Sequence, residues 1–354
     1  MKRTAGFSLI ELMLALALGV VVTSGIVQLF VGNNQTYTLL TGQSRMQESA
    51  RYALDFIARS ARMSGYFGCD PENDKIYNSL NGVWGQLFEF NISVPIEAFD
   101  GVNNGTATGD WSPNVGVLPR MTGGATSVNT FINGNGIDLA NVRPMTDFLV
   151  FRRTSIPGER IDVIIQAGDD PIIEDDGDID LQVDDFAVIS NCEQAALFRV
   201  SAINLGAGDA TLVRNTGAGL FENSAGGSLS DRGIPYGSAT DSQAATVGRA
   251  ITEIFYIAQA AGTNNRGQVS WSLWRKVSQN APVELIAGIE DLQVQFGIDT
   301  SGDAMANQYV TAGGIGGNPI RSIRISITAN SVDVVTAQGQ ILRRTFTQTI
   351  AMRN

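Results

Sequence analysis

The stretch MKRTAG over residues 1–6, followed by FSLIELMLALALGVVV over residues 7–22, decides the fold of this chain. The apolar character continues to Val31, and Glu11 is the one charged residue between residue 7 and that point. A helix of about 20 apolar residues is long enough to cross the hydrocarbon core of a bilayer. Because two basic residues precede the apolar run, we expect the N-terminus to stay in the cytoplasm and the rest of the chain to lie outside.

Glu11 is the unusual residue of this segment, because a carboxylate in hydrocarbon costs several kcal/mol unless it has a partner. Cleavage of the chain after Gly6 would place a new α-amino group on Phe7, four residues before the carboxylate. The same amine would stand at the start of any neighbouring helix of the same kind. The spacing therefore makes Glu11 a candidate functional residue that pairs with an N-terminal amine.

The motif Gly6-Phe7-Ser8-Leu9-Ile10-Glu11 behind a basic leader resembles the type IV prepilin signal, which prepilin peptidase reads. This resemblance implies cleavage between Gly6 and Phe7, N-methylation of Phe7, and a role for Glu11 in assembly of a filament. The other interpretation is an ordinary secretory signal or membrane anchor. A secretory signal has an apolar core of about 7–15 residues, and the core in this chain is longer.

The composition excludes several function classes. The 354 residues carry a formal net charge of −11 and include no histidine. A chain this acidic lacks the basic character expected of a protein that binds nucleic acid. Without histidine it has neither a Ser-His-Asp triad nor a Cys-His pair. The sequence also has no P-loop, nucleophile elbow or dinucleotide-binding glycine pattern. We therefore predict a protein that is not an enzyme, needs no cofactor and binds no nucleic acid.

The chain has two cysteines, Cys69 and Cys192. An even number of cysteines in an exported chain predicts a disulfide bond. Two buried free thiols are the alternative. A bridge would tie the segment that follows the N-terminal helix to a strand of the head.

An acidic loop carries Asp176, Asp178 and Asp180 at the alternate spacing of the oxygen ligands in a calcium loop. The loop lacks the glycine of the tight turn, since Leu181 stands at that position, and Ala187 replaces the distal glutamate. We therefore predict no metal site, and the three aspartates are weak calcium candidates only.

The apolar segment continues into an amphipathic helix. Apolar residues recur at spacings of three and four on one face, namely Met46, Ala50, Leu54, Ile57 and Ala61. No proline occurs before residue 71, so the pattern predicts one helix from residue 7 to about residue 64, with a soft point at 32–34 and a glycine C-cap at 65. The predicted organisation is a leader at 1–6, a transmembrane stem at 7–31, an amphipathic half-helix at 32–64 and a periplasmic head at 65–354.

The head is rich in predicted strands. Alternation of apolar and polar residues, as in Ile323-Arg324-Ile325-Ser326-Ile327, is typical of a half-buried strand. Strands are predicted at 148–153, 161–166, 185–190, 196–203, 210–214, 251–258, 269–274, 283–287, 292–298, 320–328 and 341–352. Stretches rich in Gly, Ser, Asn or Thr at 101–136, 215–247 and 299–319 are predicted to be surface loops. The expected fold class is α+β, with a long N-terminal helix packed on a large, mostly antiparallel sheet.

Several blocks beyond the N-terminus are similar to PilW-type minor pilins of type IV pili. These blocks are Asp55-Phe56-Ile57-Ala58-Arg59 with Gly65-Tyr66-Phe67-Gly68-Cys69, Val188-Ile189-Ser190-Asn191-Cys192-Glu193, Gly288-Ile289-Glu290-Asp291-Leu292-Gln293-Val294, and the terminal Arg353-Asn354. The resemblance implies a type IV pilin-like fold. It also implies a structural role in starting type IV pilus assembly and in forming the pilus tip complex, with adhesion or twitching motility as the outcome.

The same resemblance implies partners and a location. The partners would be other minor pilins, the major pilin, a large pilus-tip adhesin, the inner-membrane assembly platform and prepilin peptidase. The protein would sit in the inner membrane by a single N-terminal span with its head in the periplasm, and would move to the pilus tip at the cell surface on assembly.

Two alternatives remain open from the sequence. The blocks in the head partly overlap with the GspJ-like minor pseudopilins of type II secretion systems. A membrane-anchored surface binding module or enzyme is the alternative of another class, and it predicts an uncleaved anchor and a cleft with paired carboxylates.

Overall fold

The structure is a computed structural model that describes residues 8–68, 75–84, 87–102, 111–112, 137–156, 158–166, 168–191, 193–230, 235–237, 245–278, 280–336 and 338–352. It combines one long N-terminal helix with a large region of mostly antiparallel sheet. The predicted α+β, type IV pilin-like fold class is therefore confirmed.

The long helix, α1, spans Leu9–Met63, a run of 55 residues. At a rise of 1.5 Å per residue it is roughly 80 Å long. It is uninterrupted at residues 32–34, where the sequence predicted a soft point. Gly65 follows the helix with a φ of +80°, a left-handed conformation that glycine adopts without strain. The prediction of one continuous helix ending near residue 64 is confirmed.

The head contains seventeen described strands and three short 3-10 helices. The strands are β1 (Ile76–Asn78), β2 (Ile96–Gly101), β3 (Trp111–Ser112), β4 (Phe148–Thr154), β5 (Glu159–Arg160), β6 (Ile172–Glu174), β7 (Phe186–Ser190), β8 (Ala195–Arg199), β9 (Ala202–Leu205), β10 (Asp209–Val213), β11 (Thr246–Thr263), β12 (Val269–Val277), β13 (Val283–Ala287), β14 (Ile289–Ile298), β15 (Gln308–Val310), β16 (Ile320–Asn330) and β17 (Arg343–Ala351). The 3-10 helices are Phe88–Phe90, Leu139–Asn141 and Ala312–Gly314.

These strands form three sheets. A ten-stranded sheet has the order β1-β8-β7-β11-β4-β2-β3, with β5 and β12 also paired to β11 and with β13 paired to β12. A three-stranded sheet has the order β6-β10-β9, and a four-stranded sheet has the order β15-β14-β16-β17. The β1–β8 pair is parallel, and every other pairing between the described strands is antiparallel.

The second half of α1 packs against the four-stranded sheet and against β4 and β13. Alternate residues of β14 and β16 point into this core, among them Leu292, Val294, Ile323 and Ile325, and all of these are buried. Burial of one such side chain contributes about 1.5–3 kcal/mol. The apolar side chains at alternate positions of β14 and β16 therefore hold the sheet against the helix.

The structure contains four strands that the sequence did not predict, β1, β2, β3 and β6, and β3 lies within the predicted loop at 101–136. It also differs from the predicted elements in three further places. Ile161 and Ile165 are buried but make only isolated bridges, so the predicted strand at 161–166 is absent, and the strand nearby is β5. The predicted strand at 196–203 is split into β8 and β9, because the chain leaves the ten-stranded sheet for the three-stranded one at Val200. The segment 299–319 is not only loop, since it contains β15.

Candidate assembly site

The first half of α1 presents an apolar surface that no described part of the chain covers. An 18-residue window of this helix has a mean hydropathy of 2.3, and none of that window is buried. The large apolar side chains left exposed along it are Leu9, Ile10, Leu12, Met13, Leu14, Leu16, Leu18, Val20, Val21, Val22, Ile26, Val27, Leu29, Phe30 and Val31. Apolar area costs about 25 cal/mol per Å² in water. This segment therefore requires a bilayer or the apolar segments of neighbouring chains around it.

Glu11 lies in the first turn of α1, where its carboxylate caps the helix. Its Oε2 accepts the backbone N–H of Ser8 at 3.2 Å. The first N–H groups of a helix have no partner within the helix, so this bond satisfies one of them. Ser8 and Glu11 occupy the two side-chain positions of a capping box. The Ser-x-x-Glu spacing of a capping box is present in the sequence, so Glu11 has a structural role in addition to the assembly role predicted for it.

The other two residues of the processing motif, Gly6 and Phe7, lie outside the described residues. The pairing of the Glu11 carboxylate with an amine on Phe7 therefore stays a prediction. The hydrogen bond from the Ser8 N–H to Glu11 Oε2 is compatible with this pairing, because it leaves the second carboxylate oxygen of Glu11 available.

The second half of α1 is held close to the head by small residues. Gly42 is buried, and a Cβ at that position would come within 2.7 Å of Val335 Cγ1. Ala50, Ala53 and Ile57 continue the same face and are completely buried. The small residues Gly42, Ala50 and Ala53 let the backbone of α1 approach the sheet and the loop that carries Val335.

Both cysteines, Cys69 and Cys192, lie outside the described residues, but the residues next to them meet. The Ser190 hydroxyl donates to the carbonyl oxygen of Phe67. Phe67 is two residues before Cys69, and Ser190 is two residues before Cys192. Phe67 and Ser190, each two residues before a cysteine, are therefore in contact, and the bond between the cysteines stays a prediction.

The acidic loop forms local hydrogen bonds and an ion pair. Asp176 Oδ1 accepts the backbone N–H of Asp178 at 3.3 Å, and Asp180 donates its backbone N–H to Glu159 Oε1 at 2.8 Å. Arg249 lies 3.4 Å from Asp180. Within the described residues, no group of three His, Cys, Asp or Glu side chains is placed to hold a metal ion.

A buried charged cluster is the feature that sequence reasoning missed. Arg152 has no exposed surface, and its guanidinium donates to the carbonyl oxygens of Phe88 and Val94 at 2.9 and 2.7 Å and to Glu97 at 2.9 Å. Nearby, Lys276 lies 3.6 Å from Glu89. Burial raises the pKa of Glu89 to about 7, although the charge of Lys276 acts to lower it. The Arg152 guanidinium joins β4 to the segment before β2, and Lys276 of β12 pairs with Glu89 of that segment.

Comparison with known families gives two matches. The family described as "Type IV Pilus-assembly protein W" matches residues 254–339, and the "Prokaryotic N-terminal methylation motif" matches residues 1–27. The first match runs from the middle of β11 through β16 to the loop beside α1. The second covers the processing motif and most of the exposed apolar segment. Together they cover less than half of the chain, and no curated protein and no solved structure matches it significantly.

Proposed function

Because this chain is a type IV pilin-like minor pilin of the PilW type, as its sequence predicted, we propose that it helps to start type IV pilus assembly and becomes part of the pilus tip. The observation that carries the proposal is the division of α1. Its first half leaves an apolar surface bare for other stems, and its second half is fixed in a head whose sheet carries the family match. The pilin-family matches also point to a structural protein and not to an enzyme.

The size of the head supports a place at the tip. A compact domain formed by residues 65–354 would have a radius of gyration of roughly 19 Å, whereas a helix with its side chains is about 10–12 Å across. A fibre built only of this chain would be crowded along its whole length. At the tip no subunit lies above the head, so a broad head meets no steric conflict there.

The proposed partners follow from the proposed assembly. Before assembly the protein is a substrate of prepilin peptidase in the inner membrane, with its head in the periplasm and its stem beside the assembly platform. After assembly its stem packs among those of the other minor pilins and the major pilin, and its head supports a large tip adhesin at the cell surface. Adhesion and twitching motility would depend on it through the fibres that it starts.

The test is a deletion of the gene in its host, followed by electron microscopy of the cells. The expected result is a loss in the number of fibres per cell that exceeds any loss in their length, with recovery by the wild-type gene. Immunogold labelling of the head should mark fibre ends. Gold particles spaced evenly along the shaft, at the density of the major subunit, would contradict the tip proposal.

A further inference from the structure

A pocket of about 270 Å³, open to solvent, lies where the head meets α1. One wall is the α1 segment that carries Asn34 and Thr38. The other wall is the turn between β11 and β12, with Asn265 and Arg266, together with the loop segment Val334–Thr336. The long β11–β12 hairpin therefore reaches down the helix to a point just beyond its apolar segment.

The walls of this pocket are fixed by specific contacts. The Asn265 side chain donates to the carbonyl oxygen of Val334 and accepts the N–H of Val334, each at 3.1 Å. The backbone N–H of Asn265 donates to Asp333 Oδ1 at 2.8 Å. On the opposite side, Val335 packs against Gly42 of α1. The turn, the loop and the helix therefore form one joined structure around the pocket.

Arg266 is positioned at this pocket by a glycine. Gly339 has a φ of +79°, and a Cβ there would lie 2.9 Å from both terminal nitrogens of the Arg266 guanidinium. The side chain thus lies directly over the Gly339 backbone. Within the described part of the chain this guanidinium has no ion-pair partner, and the nearby carboxylate of Asp333 already accepts from Asn265. An exposed guanidinium without a carboxylate partner suits a phosphate group, whose oxygens it can bind in pairs.

The position of the pocket along the axis of α1 indicates which phosphate group could reach it. The apolar run ends at Val31, and Asn34 and Thr38 stand three and seven residues further on. They therefore lie roughly 5–10 Å beyond the run along the helix axis. The headgroup layer on each side of a bilayer is about 5–7 Å deep. With the stem in the membrane, the near end of the pocket, at Asn34, lies in the headgroup layer, and its far end, at Thr38, lies just beyond that layer.

We propose that this pocket binds the phosphate group of a membrane phospholipid through Arg266 while the protein is anchored and not yet assembled. The side-chain amides of Asn34 and Gln35, which hydrogen-bond to no described residue, supply further donors to the same headgroup. The lipid sets the depth at which the head rests on the membrane. This inference rests on the membrane anchoring through α1 that belongs to the proposed function.

The test is lipid retention by the purified full-length protein, measured by native mass spectrometry. Phosphatidylglycerol, phosphatidylethanolamine and a digalactosyl diglyceride without phosphate are supplied in equal amounts. Arg266→Gln should retain about fivefold less phosphatidylglycerol than the wild type, the factor expected for one arginine at an anionic lipid surface, and it should also retain less phosphatidylethanolamine. Arg266→Lys should retain more than Arg266→Gln, because it keeps the charge. Retention of the galactolipid should be the same in all variants.

Arg160→Gln is the matched control, because Arg160 is an exposed arginine in β5, far along the chain from the pocket. It should behave as the wild type. The proposal is overturned if Arg266→Gln retains the phospholipids as well as the wild type does, or if it loses the galactolipid equally. It is also overturned if inorganic phosphate raises the melting temperature of the wild type while no phospholipid is retained, since the site would then take a free anion. None of these readouts depends on pilus formation, so the proposed function is tested separately.

Discussion

The carboxylate of Asp147 accepts the backbone N–H of Val294 at 2.7 Å and so joins the ten-stranded sheet to the four-stranded sheet. Its other oxygen accepts the N–H of Gly101, at the end of β2, at 2.9 Å. The backbone N–H of Asp147 donates to the carbonyl oxygen of Leu292 at 2.9 Å. One side chain, just before β4, therefore satisfies donors on two sheets.

Asp147→Asn should destabilise the head. An amide keeps one acceptor but turns an NH₂ group toward the second backbone donor, which leaves buried polar groups unpaired at a cost of about 1–3 kcal/mol. The measurement is the free energy of unfolding by urea, for the full-length protein in detergent at pH 8. Asp162→Asn, at an exposed aspartate, is the control and should change that free energy by less than about 0.5 kcal/mol. Equal stability of the two variants would argue against the junction.

The stability of the head should fall as the pH rises from about 4 to about 7. Burial raises the pKa of Asp147 and that of Glu89 to about 7 each. Between the ordinary and the raised pKa the unfolded chain binds fewer protons than the folded one, so stability is lost as the pH increases. The expected loss between pH 5 and pH 8 is on the order of 1–3 kcal/mol. The measurement is the free energy of unfolding by urea at both pH values. In Glu89→Gln this free energy should change less with pH than in the wild type. An equal change in the variant would show that Glu89 does not contribute to the pH dependence.

Cys69 and Cys192 should form a disulfide bond. The contact between Ser190 and Phe67 brings the flanking segments together, and the bridge would close a loop of roughly 120 residues worth about 4–5 kcal/mol in the chain-entropy model. Thiol labelling of denatured, unreduced protein should find no reactive cysteine, whereas reduced protein should take two labels. Two labels before reduction would mean that the bridge does not form.

The mature chain should begin at N-methylated Phe7. Gly6 has no Cβ, so a peptidase can approach the backbone at this bond, and Gly6→Val should leave the leader attached. Mass spectrometry of the purified protein reads the N-terminus. Gly19→Val is the control, because a Cβ at Gly19 meets nothing within 4 Å, and it should be cut normally. Normal cleavage of Gly6→Val would contradict the assigned site.

Glu11→Ala should insert into the membrane and be cleaved, yet enter pili poorly. The substitution removes the carboxylate that pairs with the α-amino group of Phe7 in a neighbouring chain. Without that pairing, the burial of the charged amine in an apolar environment costs a few kcal/mol. The measurement is the ratio of variant to wild-type protein in sheared pili from cells that express both. Thr23→Ala is the matched stem control, since the Thr23 hydroxyl bonds only within α1, to Gly19 O. Equal incorporation of Glu11→Ala and the wild type would count against an assembly role.

The periodicity of apolar residues was sufficient to predict the helix and the strands that have one buried face. The alternation in Ile323-Arg324-Ile325 and the three-and-four spacing along α1 both led to correct elements, because one side of each faces the core and the other faces solvent. It failed for β2, where the neighbours Ala98 and Phe99 are both buried. β2 has no such alternation, and its apolar residues are too few to form the continuous apolar run that predicted the strands at 148–153 and 185–190.

The buried charges were beyond sequence reasoning for a different reason. Arg152 sits beside Arg153 in the chain, and nothing local separates the completely buried guanidinium from the partly exposed one. Its partners, Phe88, Val94 and Glu97, come from a remote segment, so the site exists only after β2 and β4 have paired. The processing motif, in contrast, is local and needs no folding to be recognised.

The length of β11 has a mechanical consequence. This one strand of 18 residues is about 60 Å long, and it pairs with β7, β5, β4 and β12 in turn before its hairpin reaches α1. Antiparallel hydrogen bonds stand perpendicular to the strands, so tension directed along β11 shears many of them at once and cannot peel them apart singly. A force applied to the head at the start of β11 would thus pass along a single continuous strand to the stem helix α1.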